Sequence, residues 1–358
     1  MRDAWQRRPL LVRAAIAGFQ PPVNRTRLFQ LARHPDAETR LVQRERGRWQ
    51  VRHGPLARLP STRTSRWTVL VQGVDLLDAG AHALLQRFRF IPDARLDDLM
   101  ASYATDGGGV GPHVDSYDVF LLQAYGRRRW RIGRQRDLRT FKGAPLQLLA
   151  KFEPTHEFIL EPGDLLYLPP GVAHEGTALG ECITYSIGFR APTHQELLEP
   201  YCADLAAHTL LRGRYRDRGL APTRTPAALP EAMVRRLHAA LRLRATRAST
   251  ARFLLGYLSE PKAQVIFDRP SRLLGLRAFA ARVQRQGVEL DHRTRLLYRG
   301  MAIGINGQFL HVPRGCSSAM RRLADRRQLP AAPMADAVLG LLHGWYRSGW
   351  LRFGSAKS

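Results

Sequence analysis

The sequence has few cysteines, few lysines and no long apolar run. Its 3 cysteines, Cys182, Cys202 and Cys316, lie far apart and form no CxxC pair. This spacing argues against a disulfide framework and against a thiolate zinc site, and it favours a reducing, cytoplasmic location. No stretch reaches the roughly eighteen apolar residues that a membrane-spanning helix needs, so we expect no contact with a membrane.

The basic residues are nearly all arginine. Of the 56 lysines and arginines, only 4 are lysine, and the formal net charge is +26. An excess of positive charge favours a nucleic-acid partner, because bound cations release phosphate counterions. The arginines are scattered along the chain, however, which a biased base composition of the genome explains equally well. Proximity to ribosomal RNA and a purely compositional origin both stay open.

Apolar alternation divides the chain into three parts. From about residue 50 to 190, short alternating segments broken by Gly and Pro predict an all-β barrel. After Pro192 the spacing becomes helical, with a turn-rich stretch at 216–230. Beyond about residue 263, a hairpin with a turn at Asn306-Gly307 stands beside short amphipathic segments and predicts a winged helix. The expected domains are 1–192, 193–262 and 263–358.

Two segments have the spacing of the paired cupin motifs. In the first, Gly107 is followed after five residues by His113 and after one more by Asp115. In the second, five residues separate Gly163 from Pro169, and Gly171 and His174 follow. Residues two apart on a strand face the same side, so His113 and Asp115 can reach one ion, and His174 would complete the set. Two histidines and one carboxylate leave coordination positions open, as non-haem Fe(II) oxygenases require.

Each motif alone would be weak. HxD is a short and common string, and a histidine beside a proline turn is often an ordinary loop residue. Both halves in the right order predict a metal site and a cupin-type double-stranded β-helix. Zinc would more often take a closed or three-histidine set of ligands.

Strand alternation also places a cation inside the barrel. In the segment 127–132, Arg128 shares a face with Trp130 and Ile132, whereas the neighbouring arginines face outward. A guanidinium there would suit the far carboxylate of 2-oxoglutarate, since it offers two hydrogen bonds to a carboxylate. A solvated basic strand is the alternative.

The same alternation puts Asp98, Met100 and Ser102 on one face and adds Tyr117 after Asp115. Met100 and Tyr117 could be ordinary core or could contact a substrate. Asp98 could be a solvated residue or could bind a cationic substrate side chain. These alternatives stay open at the level of sequence.

The chain resembles the bacterial ribosomal oxygenases, which hydroxylate an arginine of large-subunit ribosomal protein L-sixteen. The resemblance rests on AWQRRPLLVRAAIAGF, on LDDLMASYATDGGGVGPHVDSYDVFLLQAYGRRRWRIG, and on LEPGDLLYLPPGVAHEG with YSIGFRAP. It implies a JmjC barrel, a helical domain that forms a homodimer, and a winged helix.

The resemblance also implies roles for individual residues. The iron ligands would be His113, Asp115 and His174, and the 2-oxoglutarate contacts would be Ser102 and Arg128. Asp98, Met100, Tyr117 and Ser186 would lie near the target side chain. We therefore predict a protein hydroxylase that uses Fe(II), 2-oxoglutarate and O2 on a ribosomal protein. The alternatives are a JmjC hydroxylase of another protein or of histidine, and a cupin or RNA-associated binding protein without oxygenase chemistry.

Overall fold

The structure is a computed structural model that describes residues 3–143, 145–210, 227–241 and 245–354, together with 212, 214, 216 and 224. Most of the turn-rich stretch predicted at 216–230 therefore lies outside the described residues. By internal contacts the chain forms two units. The first comprises Met1–Ala191, Pro261–Thr294 and Arg327–Ser358, and the second Pro192–Glu260 and Arg295–Arg326.

Most of the first unit is β structure. Up to residue 189 the elements are β1 (Leu10–Val12), α1 (Arg25–Leu31), β2 (Thr39–Glu45), β3 (Arg48–His53), β4 (Trp67–Val71), α2 (Ala79–Gln86), β5 (Leu96–Ala104), β6 (His113–Val114), β7 (Val119–Gly133), β8 (His156–Leu160), β9 (Leu165–Leu168) and β10 (Ala173–Phe189). The strands form one sheet in the order β1-β9-β7-β10-β5-β4-β2-β3, with β6 beside β10 and β8 beside β7. Neighbouring strands pair in antiparallel fashion.

Strand β7 joins two segments that read as separate strands in the sequence. The chain continues through Gly126, whose φ is 62°. A Cβ at this position would lie 2.0 Å from the carbonyl oxygen of Glu181 on β10. Only glycine fits such an approach without displacing the neighbouring backbone. β7 and β10 therefore stay paired across the irregularity, and the strand that carries Arg128 keeps its register.

A buried carboxylate fixes the chain that leads from the first motif into β7. Asp118 has no exposed surface, and it accepts hydrogen bonds from Tyr167 Oη at 2.6 Å and from Arg95 Nη2 at 3.0 Å. Gln6 Nε2 donates a further bond at 3.0 Å. A buried charge is costly unless it is paired and hydrogen-bonded, as this one is. The segment between His113 and β7 is thus held firmly.

The rest of the chain is mainly helical. Its elements are α3 (His194–Ala207), α4 (Glu231–Ala240), α5 (Arg247–Ser259), α6 (Leu276–Gln286), β11 (Val288–Leu290), β12 (Leu296–Arg299), β13 (Ala302–Ile305), β14 (Gln308–His311), α7 (Ser317–Arg326), β15 (Gln328–Leu329), α8 (Asp336–Arg347) and β16 (Leu351–Phe353). In the first unit, β15, β11 and β16 form a small sheet with α6 and α8 nearby. In the second unit, α5 packs on the meander β12-β13-β14.

Local chemistry explains several of these ends. Thr193 caps α3 and exchanges hydrogen bonds with Glu196, which is a capping box. Between β13 and β14, Asn306 and Gly307 both have positive φ, at 46° and 85°, as the predicted two-residue turn requires.

Among the described residues, no helix is both long and apolar enough to cross a membrane. The domain boundaries predicted at 192 and 262 stay predictions.

Candidate metal centre

The structure brings together the three predicted ligands. His113 lies in β6, directly opposite His174 on β10, and Asp115 follows β6. His174 Nε2 is 3.6 Å from Asp115 Oδ2, and His113 Nε2 is 3.9 Å from Asp115 Oδ1. One ligand atom from each residue lies within 4.8 Å of the others, so the group could hold a metal ion. β6 is only two residues long, so Asp115 reaches the site from the chain after the strand rather than from within it.

Backbone carbonyls orient both imidazole rings. His113 Nδ1 lies 2.9 Å from the oxygen of Gly111, and His174 Nδ1 lies 2.9 Å from that of Val172. A carbonyl only accepts, so each Nδ1 carries the proton and each Nε2 is left as a free lone pair. Metal-binding histidines are usually held by such a bond from the second nitrogen. The donor set is therefore arranged for a cation.

The environment of His174 keeps its ring neutral. Its side chain is buried, and burial is the main reason that its pKa falls to about 4, with the nearby His113 as a further cause. Asp115 acts in the opposite direction but does not outweigh them. A neutral imidazole is the form that binds a metal.

The glycine run before His113 permits close approach. Gly111 has a φ of 78°, and a Cβ there would lie 2.8 Å from Leu148 and 2.9 Å from Trp49. A Cβ on Gly109 would lie 2.3 Å from the oxygen of Gly176 on β10. Because these glycines have no Cβ, the segment before His113 can pack closely against its neighbours, and this packing positions His113.

Arg128 points into a polar network inside the sheet. Its Nη1 donates to Ser102 Oγ and to Thr184 Oγ1, both at 3.1 Å. Thr184 Oγ1 in turn donates to Gln123 Oε1 at 2.9 Å. The four side chains come from β5, β7 and β10, and all four are buried. Ser102 and Arg128 were predicted here, whereas sequence reasoning missed Thr184 and Gln123.

The charge of Arg128 has no carboxylate partner among the described residues. In the part of the chain that the structure describes, no carboxylate lies within ion-pair distance of Arg128, and its buried Nε has no hydrogen-bond partner. The guanidinium lies 5.4 Å from the centre of the Trp130 ring, and that ring lies 5.9 Å from the ring of His174. A buried, unpaired cation near a metal site calls for an anion, which fits the far carboxylate of 2-oxoglutarate.

Three of the predicted substrate contacts, Asp98, Met100 and Ser186, lie on the same sheet, whereas Tyr117 lies in the bend between β6 and β7. Met100 and Ser186 are half-buried neighbours across β5 and β10. Nearer the strand ends, a Cβ on Gly188 would lie 3.7 Å from Asp98 Oδ1 and 3.9 Å from the Tyr117 ring. Partial burial, and then the charges of Asp115 and Asp98, raise the pKa of Tyr117. Its phenol therefore stays protonated and can donate a hydrogen bond.

Asp98 is bound by residues far away in the sequence. Gln72 Nε2 donates to its Oδ2 at 2.7 Å, and the Gly73 amide donates at 3.1 Å. Lys262, from the segment after α5, donates to the same oxygen at 2.7 Å. Nothing in the sequence pattern pointed to Lys262, because it lies in no motif and in no regular element.

Two family models match the chain. A JmjC domain matches residues 83–197, and a ROXA-like winged helix matches residues 242–352. The first range contains the three candidate ligands and the Arg128 network. The second begins before the boundary predicted at 263.

Curated relatives and solved structures give a consistent picture. The ribosomal protein uL16 3-hydroxylase of Escherichia coli strain K12 is 40% identical over 231 residues, which are 64% of this chain and 62% of that protein. A probable ribosomal oxygenase of Haemophilus influenzae is 37% identical over 210 residues, 56% of this chain and 50% of that protein. The aligned part thus spans less than two thirds of either relative.

The structural match extends over nearly the whole chain. A structure of YcfD, a ribosomal oxygenase from Escherichia coli in complex with cobalt and 2-oxoglutarate, superposes with a TM-score of 0.85 and 31% identity. It covers 98% of this chain and 96% of that one.

Proposed function

This chain belongs to the JmjC ribosomal oxygenases, and from that membership we propose that it is an Fe(II)- and 2-oxoglutarate-dependent protein hydroxylase. The observation that carries the proposal is the pairing of two features in one sheet. A His-Asp-His cluster suited to a metal faces the same interior as Arg128, a buried arginine that has no carboxylate partner in the part of the chain that the structure describes. Neither feature alone would separate an oxygenase from another cupin.

His113, Asp115 and His174 would hold the ion. Two imidazoles and one carboxylate would fill only part of its coordination shell and would leave positions for other ligands. When bound, Fe(II) supplies the oxidising chemistry with 2-oxoglutarate and O2 as cosubstrates. Cobalt and 2-oxoglutarate are bound by the YcfD structure that this fold matches.

Arg128 and Ser102 would bind and orient 2-oxoglutarate. The guanidinium is held from one side by Ser102 and Thr184, which leaves its other donors for the cosubstrate carboxylate. The net reaction consumes a substrate C–H bond, O2 and 2-oxoglutarate, and it yields C–OH, succinate and CO2. The protein itself positions the reactants and excludes water, and no side chain has to act as the main acid or base.

The substrate we propose is the arginine side chain of ribosomal protein uL16. The E. coli relative is named for hydroxylation of that protein. Asp98, Met100, Tyr117 and Ser186 would surround the target side chain, with the Asp98 carboxylate facing a cationic group. The proposal extends to a homodimer through the helical region 193–262, to a cytoplasmic location, and to work near ribosomal RNA.

The decisive test is mass spectrometry of recombinant uL16 incubated with the purified chain, Fe(II) and 2-oxoglutarate. We expect a gain of one oxygen atom on one arginine, and no gain with the Asp115→Ala variant. Oxygen on a histidine, or on another protein only, would keep the oxygenase and reject the substrate. If the wild type neither released succinate nor bound metal, the enzyme would be rejected and a binding protein favoured.

A further inference from the structure

Lys262 forms a buried ion pair at the edge of the candidate active site. Its Nζ lies 2.7 Å from Asp98 Oδ2 and 3.5 Å from Asp97 Oδ2. The Asp98 side chain is 3% exposed and the Lys262 side chain 20%, so solvent screens the pair only weakly. Lys262 and Asp98 both belong to the first unit of the chain.

Lysine at this position is unusual for this protein. Of the 4 lysines, Lys142 and Lys151 are exposed, and Lys357 lies outside the described residues. A chain that uses arginine for almost every cation has a lysine where a carboxylate must be reached in a confined space. An ammonium is a compact charge, whereas a guanidinium is a wide planar fork.

The hydrogen bonds of Asp98 are divided unequally between its oxygens. Gln72, Gly73 and Lys262 all donate to Oδ2. Oδ1 instead lies toward Gly188, where a Cβ would be 3.7 Å from Oδ1 and 3.9 Å from the Tyr117 ring. Met100 and Ser186 pair two residues along the same strands. One oxygen is thus fixed by the protein, and the other is turned toward the predicted substrate position.

Lys262 remains charged in this environment. Burial by itself would lower its pKa, but the charges of Asp98 and Asp97 outweigh burial and raise the pKa above its ordinary value. A permanently charged ammonium holds a carboxylate more firmly than a neutral donor would, because charge-assisted hydrogen bonds are the stronger kind.

We propose that Lys262 is a positioning residue for hydroxylation: it fixes Asp98 Oδ2 so that Oδ1 receives the cationic end of the substrate in one geometry. The inference rests on the proposed function. The role of Lys262 is to align the substrate rather than to increase the affinity for it. Without Lys262, the substrate cation can move into the space left by the ammonium, and the carbon to be hydroxylated shifts away from its place.

The test compares Lys262→Met and Lys262→Gln with the wild type. Lys151→Met is the matched control, because Lys151 is an exposed lysine paired with Glu153. The full chain is loaded with Fe(II) for kinetics, and with Mn(II) for the binding of 2-oxoglutarate and peptides. One probe is a uL16 peptide that contains the arginine hydroxylated in the assay above. The other is the same peptide with citrulline in place of that arginine.

For Lys262→Met we expect hydroxylation kcat to fall about tenfold to a hundredfold, as misplacement of a bound substrate by about 1 Å does. The dissociation constant of the arginine peptide should stay within about threefold, well under the effect on kcat. Succinate formed per hydroxylated peptide should rise. Lys262→Gln, which keeps a donor, should lie between Lys262→Met and the wild type.

Unchanged binding of 2-oxoglutarate shows that the variant barrel is folded, and its loss in both Lys262 variants would reduce Lys262 to a structural role. Faster hydroxylation would mean that Lys262 blocks the substrate position, which overturns the inference. So would weaker peptide binding with an intact kcat, or kinetics equal to those of Lys151→Met. If the wild type itself does not prefer arginine over citrulline, the substrate assignment fails and the inference falls with it.

Discussion

Arg128 and Lys262 are two cations at the candidate site, and they differ in their partners. Arg128 is held by two hydroxyl groups and has no carboxylate partner among the described residues. Lys262 lies within ion-pair distance of two carboxylates, Asp97 and Asp98. Both are largely buried, where an uncompensated charge is costly.

The difference separates two kinds of binding position. An unpaired buried cation implies that the missing anion comes from a ligand. A paired one needs no ligand to balance it, and at Asp98 the pairing restrains Oδ2. Under the proposed function, the first half of the site would bind an anionic cosubstrate and the second a cationic side chain.

The largest effect should come from Arg128→Met. Removal of the cation proposed to bind the cosubstrate carboxylate should weaken 2-oxoglutarate binding about a hundredfold or more, since two charge-assisted hydrogen bonds would be lost. Calorimetry on the Mn(II)-loaded protein measures this. Arg127→Met, on the same strand but exposed, is the control. An affinity for 2-oxoglutarate that stays near that of the wild type would show that Arg128 has another partner.

Asp98→Asn should affect the other half of the site. It keeps the shape of the side chain but removes its charge, so kcat/KM for the arginine peptide should fall about tenfold or more. The KM for 2-oxoglutarate should not change. If kcat/KM for the arginine peptide and KM for 2-oxoglutarate change together, the two halves of the site are not independent. The distinction drawn between Arg128 and Lys262 would then be wrong.

Thr184→Val tests the support of Arg128. It removes the acceptor at 3.1 Å and leaves Gln123 without its donor, so 2-oxoglutarate should bind about tenfold more weakly, about 1.4 kcal/mol. Thr68→Val is the matched control: Thr68 is buried in the same sheet and donates to the Tyr103 carbonyl, away from Arg128. If both variants lost the same affinity for 2-oxoglutarate, the effect would come from a general loss of stability and not from the contact with Arg128.

The smallest effect is expected from Tyr117→Phe. Because the pKa of Tyr117 is raised from its ordinary value of about 10, the phenol is protonated from pH 6 to 9 in the wild type. The variant should therefore lose a few-fold in kcat/KM, the worth of about one neutral hydrogen bond, with an unchanged pH profile. A step in the wild-type profile that disappears in the variant would show that Tyr117 takes part in proton transfer.

Much of the site follows from the sequence because it depends on local periodicity. The spacing of His113, Asp115 and His174 predicts a set of metal ligands. Alternation along one strand predicts that Arg128 faces inward with Trp130. The comparisons confirm the family and the fold class that these residues indicated. Gly126 is the exception in the fold, since its positive φ joins two apparent strands into one.

The sequence by itself determined which residue types face the interior, since side-chain direction along a strand alternates from one residue to the next. The tertiary structure decided which of them meet. Thr184 lies beside Arg128 only through the register of β7 against β10. Lys262 reaches Asp98 across 164 positions of the chain. Such contacts depend on how distant segments pack, and no local pattern encodes that packing.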